Sequence, residues 1–109
     1  MDIETVSMTI IAYSGDCRTF AFRALEECKK GNFEESKKLM ELSEENYKKA
    51  HKKQSELLVY EANGGQPEIN VLLVHSQDHL MTSMLAQELI KKLYTYMKLK
   101  KINNKRGWF

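Results

Sequence analysis

The scarcity of helix-breaking residues constrains the fold of this chain more than any other sequence feature. Its 109 residues include one proline and five glycines. The two clear breaks are Gly31-Asn32 and the run from Asn63 to Pro67. These two places divide the chain into three long segments. None of the segments alternates apolar and polar residues as a half-buried strand does. The sequence therefore predicts an all-α protein of a single domain.

The first segment carries an apolar stripe with alternating spacings of three and four residues. This stripe consists of Ile3, Val6, Ile10, Tyr13, Cys17, Phe20 and Ala24. Such a pattern predicts a helix over about 2–30 that packs lengthwise against other helices. Gly15 falls inside this helix, where it either permits close approach of a neighbouring helix or is simply tolerated.

Local signals also predict where the other two helices begin. Asn32 is a good N-cap residue, and Glu35 three positions later would complete a capping box. The second helix is then expected to run to about residue 61. Pro67 suits the first turn of a third helix, over about 68–100, because the missing N–H costs nothing there.

Short connections between three helices predict an antiparallel, up-down-up bundle. We assign this bundle to residues 1–101. Residues 102–109 form a basic, aromatic tail, which is either a frayed end or a docking element.

Composition excludes several classes of function. The chain has no apolar run long enough to span a membrane, and its first residues lack the basic region of an export signal. A net charge of +2, from 17 basic and 15 acidic residues, is too balanced to indicate a nucleic-acid partner. Cys17 and Cys28 are therefore expected to be reduced thiols of a cytoplasmic protein.

The third segment carries two apolar faces. Leu73, Leu80 and Met84 can serve the core of the chain itself. The second face has the spacing of a coiled-coil seam and consists of Val71, Val74, Asp78, Met81 and Leu85. A carboxylate buried in a seam is costly. If three copies met there, their Asp78 side chains would converge and would have to share protons or bind a divalent cation, of which Mg²⁺ is the first candidate. Alternatively, Asp78 lies at the edge of the seam in water.

His75 and His79 flank this seam, and three interpretations of them remain open. With Asp78 they could bind one metal ion, because spacings of three and four place ligands on one helix face. They could instead be satisfied, partly buried core residues. Finally, His75 could be a nucleophile, since a neutral imidazole is both nucleophilic and abundant near pH 7. Gln77 or His79 would then orient its ring.

The segment Leu-Val-His75-Ser-Gln77-Asp78-His79-Leu-Met-Thr resembles a family signature, L-V-H-A-Q-D-H-L-M-T. It belongs to the IIA component of the lactose/cellobiose-type (lactose/N,N'-diacetylchitobiose) phosphoenolpyruvate-dependent sugar phosphotransferase system. The chain departs from it by Ser76 in place of alanine. The resemblance covers about 3–98 and includes further matches at Ser14-Gly15 with Arg18, Lys30 to Phe33, Ala50-His51 with Gln54, and Glu88-Leu89.

This resemblance implies a trimer of three-helix protomers that acts as a phosphocarrier. The residue matching His75 would accept a phosphoryl group from the protein HPr and pass it to a cysteine of the IIB component, during uptake of lactose, cellobiose or a related β-disaccharide. Asp78 would lie at the trimer axis with a metal ion, and Gln77 and His79 would lie near the reactive histidine. The alternative is a non-catalytic oligomeric or metal-binding helical bundle that serves as an interaction module.

Overall fold

The computed structural model describes residues 1–105 and 107, and the part of the chain it describes contains three helices and no strand. The helices are α1 (Ile3–Lys29), α2 (Phe33–Ala62) and α3 (Val71–Lys105). They form a rod of 60 × 19 × 19 Å. The all-α prediction is therefore confirmed. No helix within the described residues is long and apolar enough to cross a bilayer.

Helix α1 begins where an aspartate caps it. The Asp2 carboxylate accepts hydrogen bonds from the Thr5 backbone N–H at 3.3 Å and from the Thr5 hydroxyl at 2.6 Å. These bonds hold the pKa of the Asp2 carboxyl below its usual value, with the side-chain bond the larger cause. Helix α1 ends at Lys29, and Gly31 turns the chain with a φ of +84°, which glycine adopts without strain.

The capping box predicted for α2 is wrong. The helix does begin directly after Asn32, but the Asn32 side chain makes no cap hydrogen bond. Its Nδ2 group instead donates to the Glu27 carboxylate at 2.8 Å. A bond to a charged acceptor is stronger than one between neutral groups, which favours this orientation of the Asn32 side chain. The same bond is the main reason that the pKa of Glu27 is lowered.

The start predicted for α3 is also wrong. Pro67 lies in the connection between helices, and α3 begins only at Val71. Asn70 is the residue that caps it, since its Oδ1 atom accepts the Leu73 backbone N–H at 2.9 Å.

The C-terminal end of α3 differs from the prediction as well. The helix continues past residue 100 to Lys105 because no glycine or proline interrupts the chain before Gly107. It thus crosses the boundary predicted between residues 101 and 102. Arg106, Trp108 and Phe109 lie outside the described residues, so the two interpretations of the tail stay predictions.

The interior of the rod is built from two apolar clusters and many small side chains. One cluster contains Ala21, Ala24, Leu39, Met40 and Ile90, and the other contains Ile10, Ala50 and Leu80. Six serines are almost completely buried, and they fall in pairs seven residues apart, Ser7 and Ser14, Ser36 and Ser43, Ser76 and Ser83. Small buried residues at heptad spacing let neighbouring helices pack closely.

Two of these serines join α1 to α2. Ser36 donates a hydrogen bond to the Ala24 carbonyl at 2.7 Å, and Ser43 donates to the Cys17 carbonyl, also at 2.7 Å. The cysteines that line the same interior are free thiols, and burial raises the pKa of both Cys17 and Cys28. Their expected reduced state agrees with this burial.

Candidate functional site

The first turns of α3 carry one histidine that is exposed to solvent and a second that is partly buried. His75 is exposed, whereas His79, one turn later, is only partly so. Their ring centroids are 5.3 Å apart and the rings meet edge to face at 85°. The His75 imidazole therefore lies open to another molecule.

Gln77 is held by α2 rather than by the histidines. Its Nε2 group donates to Gln54 Oε1 at 2.8 Å, and Gln54 Nε2 donates back to Gln77 Oε1 at 2.6 Å. Gln77 also donates to the Ser76 hydroxyl at 3.3 Å. This reciprocal amide pair ties α2 to α3 two residues from His75. Gln54 was singled out in the sequence only through the family resemblance, because nothing local couples it to Gln77.

His79 lies against α1 at Gly15. A Cβ atom added to Gly15 would come within 3.8 Å of His79 Cε1, which is an ordinary van der Waals distance. Close approach of the two helices therefore does not require the glycine, and of the two interpretations of Gly15 the structure favours a tolerated residue.

The second interpretation of the histidines, as satisfied core groups, does not fit this arrangement. His75 is exposed. The Nδ1 atom of His79 is buried and has no hydrogen-bond partner among the described residues. Leaving a buried polar atom unpaired costs free energy, so His79 is not a well-satisfied core residue.

Asp78 lies on the side of α3 that faces away from the other two helices. It is exposed, and the seam residues around it are too, with Val71 85%, Val74 56% and Met81 59% exposed. The other predicted face behaves differently, since Leu73 and Leu80 are buried in the rod. The two-faced character of α3 is thus confirmed. In a single chain the Asp78 carboxylate is hydrated, so a cost of burial could arise only on association.

One chain does not assemble a metal site. Among the described residues, no group of three or more His, Cys, Asp or Glu side chains could hold a metal ion. The interpretation in which His75, Asp78 and His79 bind one ion is therefore not supported. The donors fit a divalent cation only if Asp78 carboxylates from several copies come together, because Mg²⁺ and Ca²⁺ need several oxygen ligands.

An apolar groove near the start of α3, on the side that faces α2, offers a surface for another protein. It has a volume of about 260 Å³ between the end of α2 and the start of α3, and its lining includes Leu57, Leu58, Ile69, Val74 and Gln77. Ile69 is 76% exposed. Exposed apolar side chains grouped in this way are typical of a site where a partner docks.

A second apolar groove runs along α1 and α3 beyond His79. It has a volume of about 330 Å³ and is lined by Phe22, Leu25, Leu85, Leu89 and Leu93, among others. Because Leu85 belongs to the seam, this groove and the seam form one continuous exposed apolar surface.

Comparison with known proteins agrees with this geometry. Residues 5–98 match the family model described as the lactose/cellobiose-specific IIA subunit of the phosphotransferase system. The chain is 42% identical over 92 residues to the N,N'-diacetylchitobiose-specific EIIA component of Escherichia coli (strain K12). This alignment covers 84% of the chain and 79% of the relative.

Solved structures show the same likeness. The cellobiose-specific enzyme IIA from Bacillus anthracis superposes with a TM-score of 0.89 at 35% identity, covering 94% of each chain. The IIA(chitobiose) protein in complex with HPr, from the N,N'-diacetylchitobiose branch of the Escherichia coli phosphotransferase system, gives a TM-score of 0.78 at 39% identity. That match covers 93% of this chain and 98% of the other.

Proposed function

Since the chain belongs to the lactose/cellobiose-specific IIA family of the sugar phosphotransferase system, we propose that it is a phosphocarrier whose acceptor is His75. The observation that carries the proposal is the exposed His75 imidazole inside the family's motif. The role is of the transferase type. The proposal places the protein in the cytoplasm, in uptake of lactose, cellobiose or a related β-disaccharide.

The chemistry requires little more than an accessible imidazole. A neutral His75 nitrogen attacks the phosphorus of phosphohistidine on HPr, the new P–N bond forms, and the old one breaks to return the HPr histidine. A cysteine thiolate of IIB then attacks the same phosphorus, and His75 leaves as neutral imidazole. Transfer of this kind depends mainly on alignment and on stabilising the phosphoryl charge. Gln77 and His79 are proposed to support the site, Gln77 by fixing the helix that carries His75.

The partners are proposed to dock on the exposed apolar surface around His75. The existence of a complex between a IIA protein of this family and HPr supports HPr as the donor. The IIB component is expected as acceptor. Both partners would use the same apolar residues in turn, which suits a small interface with rapid exchange.

We also propose that three up-down-up protomers assemble through α3. The contacts between α1 and α2 support the protomer topology. Residues further along α2 contact residues nearer the start of α1, as in two antiparallel helices. The exposed seam supports association, since the face is apolar over more than two turns. In such a trimer the Asp78 carboxylates would lie at the axis, where a divalent cation such as Mg²⁺ would neutralise their charge.

The relay can be tested by following intact mass. The purified chain is incubated with phosphoenolpyruvate, Enzyme I and HPr, and we expect a gain of one phosphate that disappears when IIB is added. His75→Ala should gain nothing, whereas the matched control His51→Ala, an exposed histidine on α2, should behave as wild type. A wild-type chain that gains no phosphate would leave only the non-catalytic bundle, and a gain that survives in His75→Ala would show that His75 is not the acceptor.

A further inference from the structure

Charge is distributed very unevenly along this chain. Residues 91–109 hold seven of the 17 basic residues and none of the 15 acidic ones. The rest of the chain is therefore acidic overall, and the net charge of +2 conceals a strongly basic end. Separation of charge on this scale indicates a surface for an anionic partner.

The lysines of this segment are not neutralised inside the protein. All six are exposed, and within residues 1–105 and 107 none forms an ion pair; they are Lys91, Lys92, Lys98, Lys100, Lys101 and Lys105. In contrast, Lys29 and Lys30 at the end of α1 pair with Glu26 and Glu27.

An apolar groove lies among these lysines, where α3 passes the turn between α1 and α2. Its volume is about 570 Å³, its apolar lining includes Cys28, Phe33 and Met97, and no carboxylate of residues 1–105 and 107 lines it. Its basic lining consists of Lys29, Lys100, Lys101 and Lys105.

The lysines lie over apolar groups in a way that suits an interface between water and hydrocarbon. Lys101 Nζ lies 5.0 Å from the centre of the Phe33 ring. A lysine in this position covers apolar surface with its stem and keeps its charge in water. Ile102, the next residue, is 40% exposed.

We propose that this lysine-lined groove, formed by the residues named above, docks the protein on an anionic lipid membrane. Lipid phosphates would meet Lys100, Lys101 and Lys105, and the apolar floor at Phe33 and Met97 would accept the hydrocarbon next to the headgroups. Lysine clusters near a membrane surface bind anionic lipids in this way.

Such docking would leave the phosphoryl site free. His75 and Lys101 are 26 positions apart on one helix, which corresponds to about 39 Å. Lys101 and Lys105 also lie on the opposite side of α3 from Asp78, at about 100° per residue, so assembly through the seam would not cover them. A carrier held at the membrane would stand close to the membrane component that it serves.

A nucleic acid fits this surface less well. Single-stranded binding requires aromatic faces on which bases stack, but Phe33 and Tyr94 pack edge to face against each other at 5.9 Å. Lys98 Nζ also lies 5.8 Å from the centre of the Tyr94 ring, over one of its faces.

Vesicle co-sedimentation tests the proposal. The full chain is mixed with vesicles of phosphatidylglycerol and phosphatidylcholine in equal parts, or of phosphatidylcholine alone. We expect binding to the anionic vesicles only, and weaker binding as salt rises. Each lysine near the surface contributes about fivefold, so the triple variant Lys100→Glu, Lys101→Glu, Lys105→Glu should bind on the order of a hundredfold more weakly or worse.

The matched control reverses three exposed lysines on α2, Lys37→Glu, Lys38→Glu and Lys48→Glu, which changes net charge equally. The control should lose only a few-fold in affinity for the anionic vesicles. A version of the first triple variant with Lys→Gln at the same positions should lose vesicle binding while keeping a native helical spectrum. Both triples should still accept phosphate as wild type does. The proposal is overturned if the wild type does not bind anionic vesicles, or if the control loses as much vesicle binding as the test variant. It is also overturned if the protein binds a short oligonucleotide but not the vesicles.

Discussion

The two histidines of the motif differ in what they can reach. His75 is exposed, whereas His79 is partly buried and lies between His75 and α1. We therefore propose His75, rather than His79, as the residue that meets a phosphohistidine carried by another protein. His79 is proposed to support the site, because its ring lies against that of His75.

Gln54 and Gln77 are expected to stabilise each other. Their reciprocal amide pair is partly buried, so removal of either side chain leaves the other amide without partners. We predict that Gln54→Ala and Gln77→Ala each lower the free energy of unfolding by about 1–2 kcal/mol. The double variant should lose less free energy of unfolding than the two single variants lose together. Urea denaturation of the wild type, the two single variants and the double variant measures the difference. Strictly additive losses would contradict the pairing.

The site was predictable from sequence where its signals are local. His75, Gln77, Asp78 and His79 stand within five consecutive positions, and the spacing of the seam placed Asp78 on the outer face of α3. The contact between Gln54 and Gln77 joins positions 23 apart on different helices. It depends on the register in which α2 packs on α3, and the periodicity of a single helix does not contain that register.

At the scale of the helices, five of the six buried serines separate into two kinds. Ser36 and Ser43 donate hydrogen bonds to carbonyls of α1. Ser7, Ser14 and Ser83 are equally buried, but their hydroxyls have no partner among the described residues. Serines of the first kind join two helices by hydrogen bonds. Serines of the second kind contribute only by being small, which lets the helices pack closely.

This difference predicts opposite effects of the same substitution. Ser7→Ala and Ser83→Ala remove an unpaired buried hydroxyl and should leave stability unchanged or raise it by up to about 1 kcal/mol. Ser43→Ala breaks a hydrogen bond to the Cys17 carbonyl and should lower it by about 1 kcal/mol. Thermal unfolding of the three variants provides the comparison, and a loss in Ser7→Ala as large as that in Ser43→Ala would contradict it.

The helix caps give a second comparison between helices. Asn70→Ala removes the side chain that accepts the Leu73 N–H and should lower the free energy of unfolding by about 1 kcal/mol. Asn32→Ala removes no cap and should have a smaller effect, although sequence alone favoured Asn32 as a cap. If Asn32→Ala proved the more damaging variant in urea denaturation, the cap assignments would be wrong.

These assignments show why element boundaries were harder to predict than the elements. Long segments without breakers predicted three helices, and three are observed. Pro67 predicted a start for α3 that the structure does not have, and only the conformation of the connection shows that Asn70 caps the helix. Asn32 satisfied the rule for an N-cap, yet its side-chain amide donates a hydrogen bond to a glutamate of the preceding helix.

At the scale of the molecule, α3 is the element that an isolated chain leaves incomplete. The seam from Val71 to Leu85 exposes large apolar side chains to water. A thin rod cannot cover them with its own residues. Association through this face would remove them from water and would bring the Asp78 carboxylates together.

Replacement of Asp78 tests this assembly. Asp78→Leu makes the seam continuously apolar and removes the repulsion among converging carboxylates, so the oligomer should persist or tighten and should no longer respond to a chelator. Sedimentation velocity of both proteins, with and without chelator, measures the effect. A wild-type chain that remains a monomer at all concentrations would contradict the proposed trimer.

The measurement that tests the central claim most directly is the position of the phosphate. After phosphorylation by HPr, the chain is digested at alkaline pH, where phosphohistidine survives, and the phosphopeptide is fragmented in a mass spectrometer. We predict one phosphate, on His75. A phosphate on His79 or His51, or on a serine of the motif, would contradict the account.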